Sequence, residues 1–295
     1  MGPTAGRRRV LTGIVLAGIA GLGAAQAQAP MSVSMAARGQ QAGELVVLTV
    51  TTAEPAGAVH VRAFDRDWPA FAVDERTWRV LIGIDLDVSP GEHVASIRVD
   101  SRAGVQRQTQ TMVVAPKEFR TRTLTVDEAF VNPPEDVQAR IAAEAQELGR
   151  LWRSSAVRPL WTGALVRPVP HEANSAFGSR SVFNGVARSP HSGADFASPA
   201  GTPVRAPGAG RVRIARDLYF TGGTVVIDHG AGLVSLFAHL SAMDVAPDAT
   251  VAAGDVVGRV GATGRVTGAH LHWTVRVSGA RVDPLSVLHV LGDGR

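Results

Sequence analysis

Along most of this chain apolar and polar residues alternate in short runs bounded by Gly, Pro, Ser and Asp, the pattern of strands and turns rather than helices. Between residues 31 and 115, GELVVLTVTT, VHVRAF, WRVLIGIDL, HVASIRV and QTMVVAP have strand length and β-branched content, and SPGEH and SRAGV read as turns. They predict a small β-sandwich of the immunoglobulin-like kind. Residues 116–170 read as a linker. Its one helical pattern, NPPEDVQARIAAEAQELGRLW, predicts a helix over 134–152, with Asn132 as N-cap, proline at the start and acids in the first turn. Val137, Ile141, Ala145, Leu148 and Trp152 form one stripe of it, expected to dock on a neighbouring domain. From 171 to 289 strands and turns return in GTPVRAPGAGRVRIA, GTVVIDHGAGLVSLFAHL and GDVVGRVGATG, with His229 to Gly232 as a hairpin turn. The expected fold is mainly β: an N-terminal sandwich, a linking helix and a C-terminal antiparallel sheet.

Few aromatics and many Gly and Pro agree with a turn-rich β protein. Residues 1–27 are expected to be a signal peptide. MGPTAGRRRV is basic, LTGIVLAGIAGLGA is apolar with small residues, and Ala25 to Ala27 give a small-x-small cleavage pattern. The apolar run is short and Gly-rich for a spanning helix, so no membrane anchor is expected after cleavage. Arg7-Arg8 leaves both the general and the twin-arginine export routes open. The protein is then expected in the periplasm or cell envelope. The formal net charge is +4, and Arg7, Arg8 and Arg9 supply three of it, so the chain without its leader stands near +1. So weak a balance argues against nucleic acid as a partner. Cysteine is absent, which excludes disulfides, thiolate metal sites and cysteine nucleophiles. Any metal must be held by His, Asp or Glu.

The histidines cluster late. In TGAHLHWTVRV, strand alternation puts His270, His272, Thr274 and Arg276 on one face and Leu271, Trp273, Val275 and Val277 on the other. Two imidazoles then stand roughly 6–7 Å apart at their Cα atoms. Both could bind one ion, or one could bind it while the other handles protons. His191 and Asp195 occur in PHSGADF. Pro190 and Gly193 argue against a helix there, and a straight strand would hold the two about 13 Å apart, so they meet only if the chain bends at Ser192-Gly193. In LVSLFAHL a strand would place Ser235, Phe237 and His239 on one face. Imidazole and carboxylate suit Zn²⁺. If His191, Asp195, His270 and His272 all bind, the tetrahedron closes and the metal is structural. If three bind, a position is left for water and the site can be catalytic. Spacing leaves that choice open. His60, His93, His171 and His289 belong to no such grouping and read as structural, as do Asp228-His229 in a hairpin turn and Asp283 before Pro284.

In their order and intervals, HSGADF, FAHLS and GATGRVTGAHLHW resemble the lysostaphin-type (LytM-like) zinc metallopeptidases that cut peptidoglycan peptides. The resemblance covers about Phe177 to Leu285 and includes FGSR, GTPVRAPGAGRV, VVIDHG and VDPL. It implies a LytM-type peptidase sheet at 171–289, one zinc per chain, and His191, Asp195 and His272 as its ligands. It implies His239 and His270 as the residues that serve the reaction. No HExxH occurs, so no glutamate base is evident. Tyr219 is expected to donate to the oxyanion, as a tyrosine does in some relatives. Arg180 and Asn184, upstream of His191, are expected either to line the groove or to hold their loop. Peptidoglycan is the implied substrate, with regulatory envelope proteins as further partners.

Two other readings compete. Some LytM-like domains only bind the wall or activate amidases, with a degraded zinc site; here all five positions are intact. In some relatives an upstream segment covers the zinc, and Asn132, Asn174 or Asn184 could supply such a ligand. A biotinyl or lipoyl carrier is excluded, since the only lysine, Lys117, lies far from GDVVGRVGATG.

Overall fold

The computed structural model describes residues 31–102, 104–125, 132–174 and 177–292; the expected leader, residues 1–27, lies outside them. Eight strands come first: β1 (Met31–Ala37), β2 (Leu45–Thr52), β3 (Ala56–Ala63), β4 (Arg66–Trp68), β5 (Ala70–Ala72), β6 (Thr77–Gly83), β7 (Gly91–Ser101) and β8 (Gly104–Val114). They form two antiparallel sheets, ordered β1-β2-β6-β5 and β4-β3-β7-β8. Val59 and Val61 of β3, Ala95, Ile97 and Val99 of β7, and Met112 and Val114 of β8 alternate inward, while the residues between them face solvent. The expected sandwich pattern is present. Strands β4 and β5 are only three residues each, too short for alternation to show in sequence.

The expected linker contributes more than a helix. Strand β9 (Thr121–Leu124) pairs in parallel with β10 (Arg180–Phe183), which pairs with β11 (Val186–Ala187). Helix α1 spans Glu135–Leu151. Its N-cap position is Pro134, with extended backbone and no side-chain cap, rather than Asn132. The pair Pro133-Pro134 explains the shift: a residue before proline avoids helical angles, so the helix begins only after the second proline. Of the expected stripe, Val137, Ile141, Leu148 and Trp152 are half-buried, but Ala145 is exposed and the neighbouring Glu144 is buried.

The remaining strands are β12 (Gly193–Phe196), β13 (Pro203–Arg205), β14 (Gly210–Leu218), β15 (Gly222–Gly230), β16 (Leu233–Met243), β17 (Thr250–Val251), β18 (Val256–Val260), β19 (Leu271–Val277) and β20 (Ala280–Val282), followed by α2 (Pro284–Leu291). Their main path is β12-β19-β16-β15-β14-β17, antiparallel throughout. Asp283 caps α2, accepting from the Leu285 N–H at 3.0 Å.

The two faces of this sheet differ. On one, Leu271, Trp273, Val275 and Val277 are fully buried, and the Trp273 and Phe237 rings stack at 6.3 Å. On the other, β19 carries His272, Thr274 and Arg276, opposite Ala238, Leu236 and Val234 of β16. Leu148 and Leu151 of α1, with its C-cap residue Trp152, pack on that second face, against Ile214, Val226, Val234, Leu236 and Ala238. The helix therefore covers part of the face and leaves the His272 end for other chemistry.

Polar joints tie the N-terminal strands to the C-terminal ones. Arg38 bridges Glu44 and Asp283 at 2.7 Å each, and Ser286 Oγ accepts from the Leu45 N–H at 2.9 Å. Arg281 binds Asp85 and Asp87 through its side chain, and its backbone N–H donates to Asp85 at 2.7 Å. Gly83 lies so close to β20 that a Cβ there would come within 2.7 Å of Val282.

Candidate functional site

Strand β12 pairs with β19 so that Asp195 lies opposite His272. His191 lies two residues before β12, and its ring meets the Asp195 carboxylate. His191 Nε2 and His272 Nδ1 approach the same oxygen, Asp195 Oδ1, at 3.1 and 2.8 Å. The His191 and Asp195 side chains thus meet, as the sequence required of a chain that is not straight there, and Gly193 makes that approach possible. A Cβ there would come within 2.5 Å of the Trp273 carbonyl and 2.7 Å of the His272 ring. Only glycine lets β12 lie close enough for the carboxylate to meet both imidazoles.

His239 departs from the expected strand geometry. Alternation would place it with Phe237 on the core face. Instead its backbone is left-handed, φ 64°, and the β16 register slips against β15 between Phe237 and Leu240, which pair with Val225 and Gly223. The bulge re-aims the side chain, as bulges do. The His239 ring lies 4.9 Å from that of His270 and 5.9 Å from that of His272. Left-handed backbone costs a residue with a Cβ roughly 1–2 kcal/mol. The backbone bond from His239 N–H to Thr221 O at 2.8 Å helps to hold it.

Backbone carbonyls fix the proton positions. His239 Nδ1 lies 2.9 Å from Thr263 O, and His270 Nδ1 lies 2.9 Å from Gly268 O. A carbonyl has no proton to give, so each Nδ1 must be the donor and each neutral ring presents a bare Nε2. His270 Nε2 lies 3.9 Å from Asp195 Oδ1. Burial, and after it the neighbouring His272 and His270, outweigh the Thr263 bond and push the His239 pKa down to about 4, so the ring is neutral near pH 7. Burial likewise lowers His272. For Asp195 burial works against the charge, but the bonds from His191 and His272 prevail and hold the carboxyl well below the usual range.

Among the described residues, His191, Asp195 and His272 form the group able to hold a metal ion, with ligand atoms all within 4.8 Å of one another. Two neutral imidazoles and one carboxylate suit zinc. His272 Nε2 lies 2.9 Å from the hydroxyl of buried Thr274, a partner that leaves Nδ1 as the ligand atom. The four-ligand possibility does not match, since His270 is outside that group. Thr263 and Thr274 were not singled out from sequence, and Gly193 was expected only as a bend. Thr274 lay on the expected polar face of its strand, which was its one visible signal.

The expected groove residues are placed less centrally. Arg180 opens β10, exposed, with its backbone N–H bonded to Arg120 O. Asn184 occupies the exposed β10–β11 turn at φ 50°, a position that itself favours asparagine. Tyr219 follows β14; its backbone N–H donates to Glu144 at 2.8 Å and its ring meets Phe220 edge-on at 5.0 Å. Asn174 is tied to Asp195 through the backbone, its N–H donating to the carbonyl at 2.8 Å. His229, at the end of β15 rather than in the turn, is fully buried between Ala209 O and Ser235 Oγ. His60, His93 and His171 contact Asp100, Ser89 O and Ser198 respectively.

Comparison with known proteins follows this geometry. Residues 189–284 match the model of peptidase family M23. The DD-carboxypeptidase/endopeptidase Mpg of Neisseria meningitidis serogroup B is 45% identical over 97 residues, 33% of this chain and 22% of that protein. The peptidoglycan DD-endopeptidase ShyA of Vibrio cholerae is 43% identical over 96 residues, 32% of this chain and 22% of that protein. The match thus spans only about a fifth of the length of these curated relatives. A crystal structure described as a peptidase M23 from Pseudomonas aeruginosa aligns far more completely, over 87% of this chain and 96% of that one, at 32% identity and a TM-score of 0.65. Likeness at that identity over nearly the whole length of both chains identifies this protein as a member of peptidase family M23.

Proposed function

We propose that this chain is an exported zinc endopeptidase that hydrolyses peptide bonds in the stems or cross-links of peptidoglycan, acting in the periplasm or cell envelope. The observation that carries the reading is the division of five side chains into two sets. His191, Asp195 and His272 converge as ligands, while His239 and His270 keep their Nδ1 protons on backbone carbonyls and present Nε2 beside them. A structural metal site has no use for the second set. The similarity to ShyA, a peptidoglycan DD-endopeptidase, supports the substrate class, and Mpg, a DD-carboxypeptidase/endopeptidase, supports the reaction type.

His191 Nε2, Asp195 Oδ1 and His272 Nδ1 would hold the ion. When bound, zinc supplies a Lewis acid that makes a nearby water more acidic and polarises the scissile carbonyl. The two remaining histidines divide the proton work. A ring with a pKa near 4 holds a proton poorly at neutral pH, so His239 Nε2 orients the attacking water by accepting its hydrogen bond. His270 Nε2 takes the proton and passes it to the leaving amine. Tyr219 would serve as a donor toward the oxyanion, and Arg180 and Asn184 would either line the groove or hold their loop. The N-terminal strands, residues 31–115, would position or restrain the peptidase unit of 171–289.

Digestion of purified peptidoglycan by the leaderless protein, with and without chelator, followed by mass analysis of the fragments, tests the reading. New peptide termini that vanish with chelator and return with zinc are expected. His191→Ala should lose metal and turnover together, whereas His270→Ala should keep about one zinc, as a three-ligand site predicts, and lose turnover. Full activity in a metal-free preparation would overturn the mechanism. Amidase products appearing only when an amidase is added would favour the activator reading.

A further inference from the structure

Arg276 is a cation that the roles above leave unused. It follows His272 and Thr274 on one face of β19, two residues beyond the hydroxyl that meets the His272 ring. Its cross-strand neighbours are Val234 of β16 and Arg281 of β20. The Val234 side chain offers no acceptor, and Arg281 is a like charge directly opposite, an unfavourable pairing. Arg281 is matched by Asp85 and Asp87, and its side chain and backbone N–H together engage both oxygens of the Asp85 carboxylate. Arg276 has no such match. Its Nε is buried without a hydrogen-bond partner, and among the described residues no acceptor bonds its guanidinium. Its other contact is the Trp152 ring, whose centre lies 5.5 Å from the guanidinium carbon.

Arg276 borders a cavity of about 520 Å³ at the joint between the N-terminal strands and the peptidase sheet, a size common for small-molecule sites. Phe64, Val88 and Ser89 line it from the N-terminal side. Phe64 and Asp65 form the two-residue turn between β3 and β4, at φ 51° and 57°. Such turns normally take Asn or Gly, and phenylalanine there is strained. Strain of that kind persists where packing or binding holds it. Arg66, at the start of β4, also lines the cavity; its guanidinium carbon lies 5.5 Å from the centre of the Trp68 ring, and it engages no carboxylate among the described residues. Asp85 and Asp87 line it too, but both are neutralised by Arg281, which leaves the exposed Asp65 as the opposing charge. The uncommitted charges are therefore two cations against one anion. Burial first, and Arg281 after it, push the Arg276 pKa down to about 10, so the group is still charged at pH 7. A shielded cation without a partner costs stability, and an anion beside it offsets that loss.

We infer that this cavity binds a small carboxylate, anchored by the Arg276 guanidinium. Trp152 takes one face of that group, but its N–H groups lie in the plane as a fork that matches a carboxylate. Phe64 and Val88 admit a short aliphatic group behind the charge, as in an N-acylated amino acid or the C-terminus of a peptide. The site needs neither the metal nor the reaction. Arg276 lies four residues from His272, about 13 Å along an extended strand.

Calorimetric titration of the leaderless protein with N-acetylalanine, its amide N-acetylalaninamide and inorganic phosphate tests the site. The acid should bind with a Kd of about 1 mM, as a single charge-assisted pair allows, and the amide about tenfold more weakly or worse. The His191→Ala protein should bind the acid as the wild type does. Arg276→Met keeps a chain against Trp152 but removes the fork, and should lose about tenfold or more in affinity. Ser89→Trp fills the cavity from the loop between β6 and β7 and leaves β19 untouched. It should lose as much, so the test stands even where the Arg276 variant fails to fold. No binding of the acid, equal binding of acid and amide, or full affinity in either folded variant would overturn the inference. Phosphate binding in place of the acid would overturn it too, by assigning a different ligand. So would loss of binding in His191→Ala, which would place the acid at the metal cluster.

Discussion

At His239 a single backbone torsion determines whether the side chain serves the core or the site. With strand angles it would point with Phe237 toward the Trp273 layer; at φ 64° it meets His270 and His272 instead. Asparagine tolerates the left-handed region far better than other residues with a Cβ. His239→Asn should therefore melt close to the wild type, while His239→Ala should lose about 1 kcal/mol more, read from urea midpoints. Both should lose turnover while retaining zinc, because His239 lies outside the ligand group. Equal destabilisation of the two variants would show that the torsion is not a source of strain.

Among elements, α1 is held to the sheet by a buried carboxylate as well as by its apolar stripe. Glu144 is 8% exposed. It accepts from the Tyr219 backbone N–H at 2.8 Å and from Arg140 Nε at 2.7 Å, with Arg216 at 3.8 Å. Removing one partner of a part-buried bond to a charged group costs about 1–3 kcal/mol, here chiefly because the Tyr219 N–H loses its acceptor. Glu144→Ala should lower stability by that amount and speed hydrogen exchange in α1 and in the turn after β14, leaving β12 and β19 protected. The stripe alone would predict the opposite choice, since Ala145 lies on it and Glu144 does not. If Ala145→Glu destabilises more than Glu144→Ala, the assignment of the docking face is wrong.

For the whole molecule, the joint between the N-terminal strands and the peptidase sheet is charged. Burial alone would raise the carboxyl pKa of Asp85 and of Glu44, but hydrogen bonds from Arg281 and Arg38 outweigh it and lower both. A carboxyl lowered in the folded state binds fewer protons there than in the unfolded chain. Its contribution is complete above the unfolded values, about 3.9 for Asp and 4.3 for Glu, and is lost as pH falls through the folded ones. Urea midpoints should decline only gently from pH 7 to about 5, through the buried histidines, and drop steeply below pH 4. Asp85→Asn should be less stable at pH 7 and lose less on acidification; an identical acid limb in the variant would show that the joint is not its origin. Fully buried His229, held neutral by burial, adds a shallower loss as pH falls below its unfolded value of about 6.5.

Much of this protein was legible along the chain, because strand alternation has a period of two and needs only local residues to be seen. The burial of Leu271, Trp273, Val275 and Val277 follows from that pattern, and so does the placement of His272, Thr274 and Arg276 on the opposite face. The resemblance carried by HSGADF, FAHLS and GATGRVTGAHLHW named the five chemical side chains. Tertiary structure decided what depends on contacts distant in sequence. The convergence of His191 and His272 on one oxygen needs β12 to pair with β19, 77 positions apart at Asp195 and His272. The direction of His239 depends on a register slip against neighbouring strands. The parallel pairing of β9 with β10, and the burial of Glu144 rather than Ala145, depend on partners remote along the chain. Local periodicity sets which side of a strand a residue faces; only the packed neighbours set what it meets there.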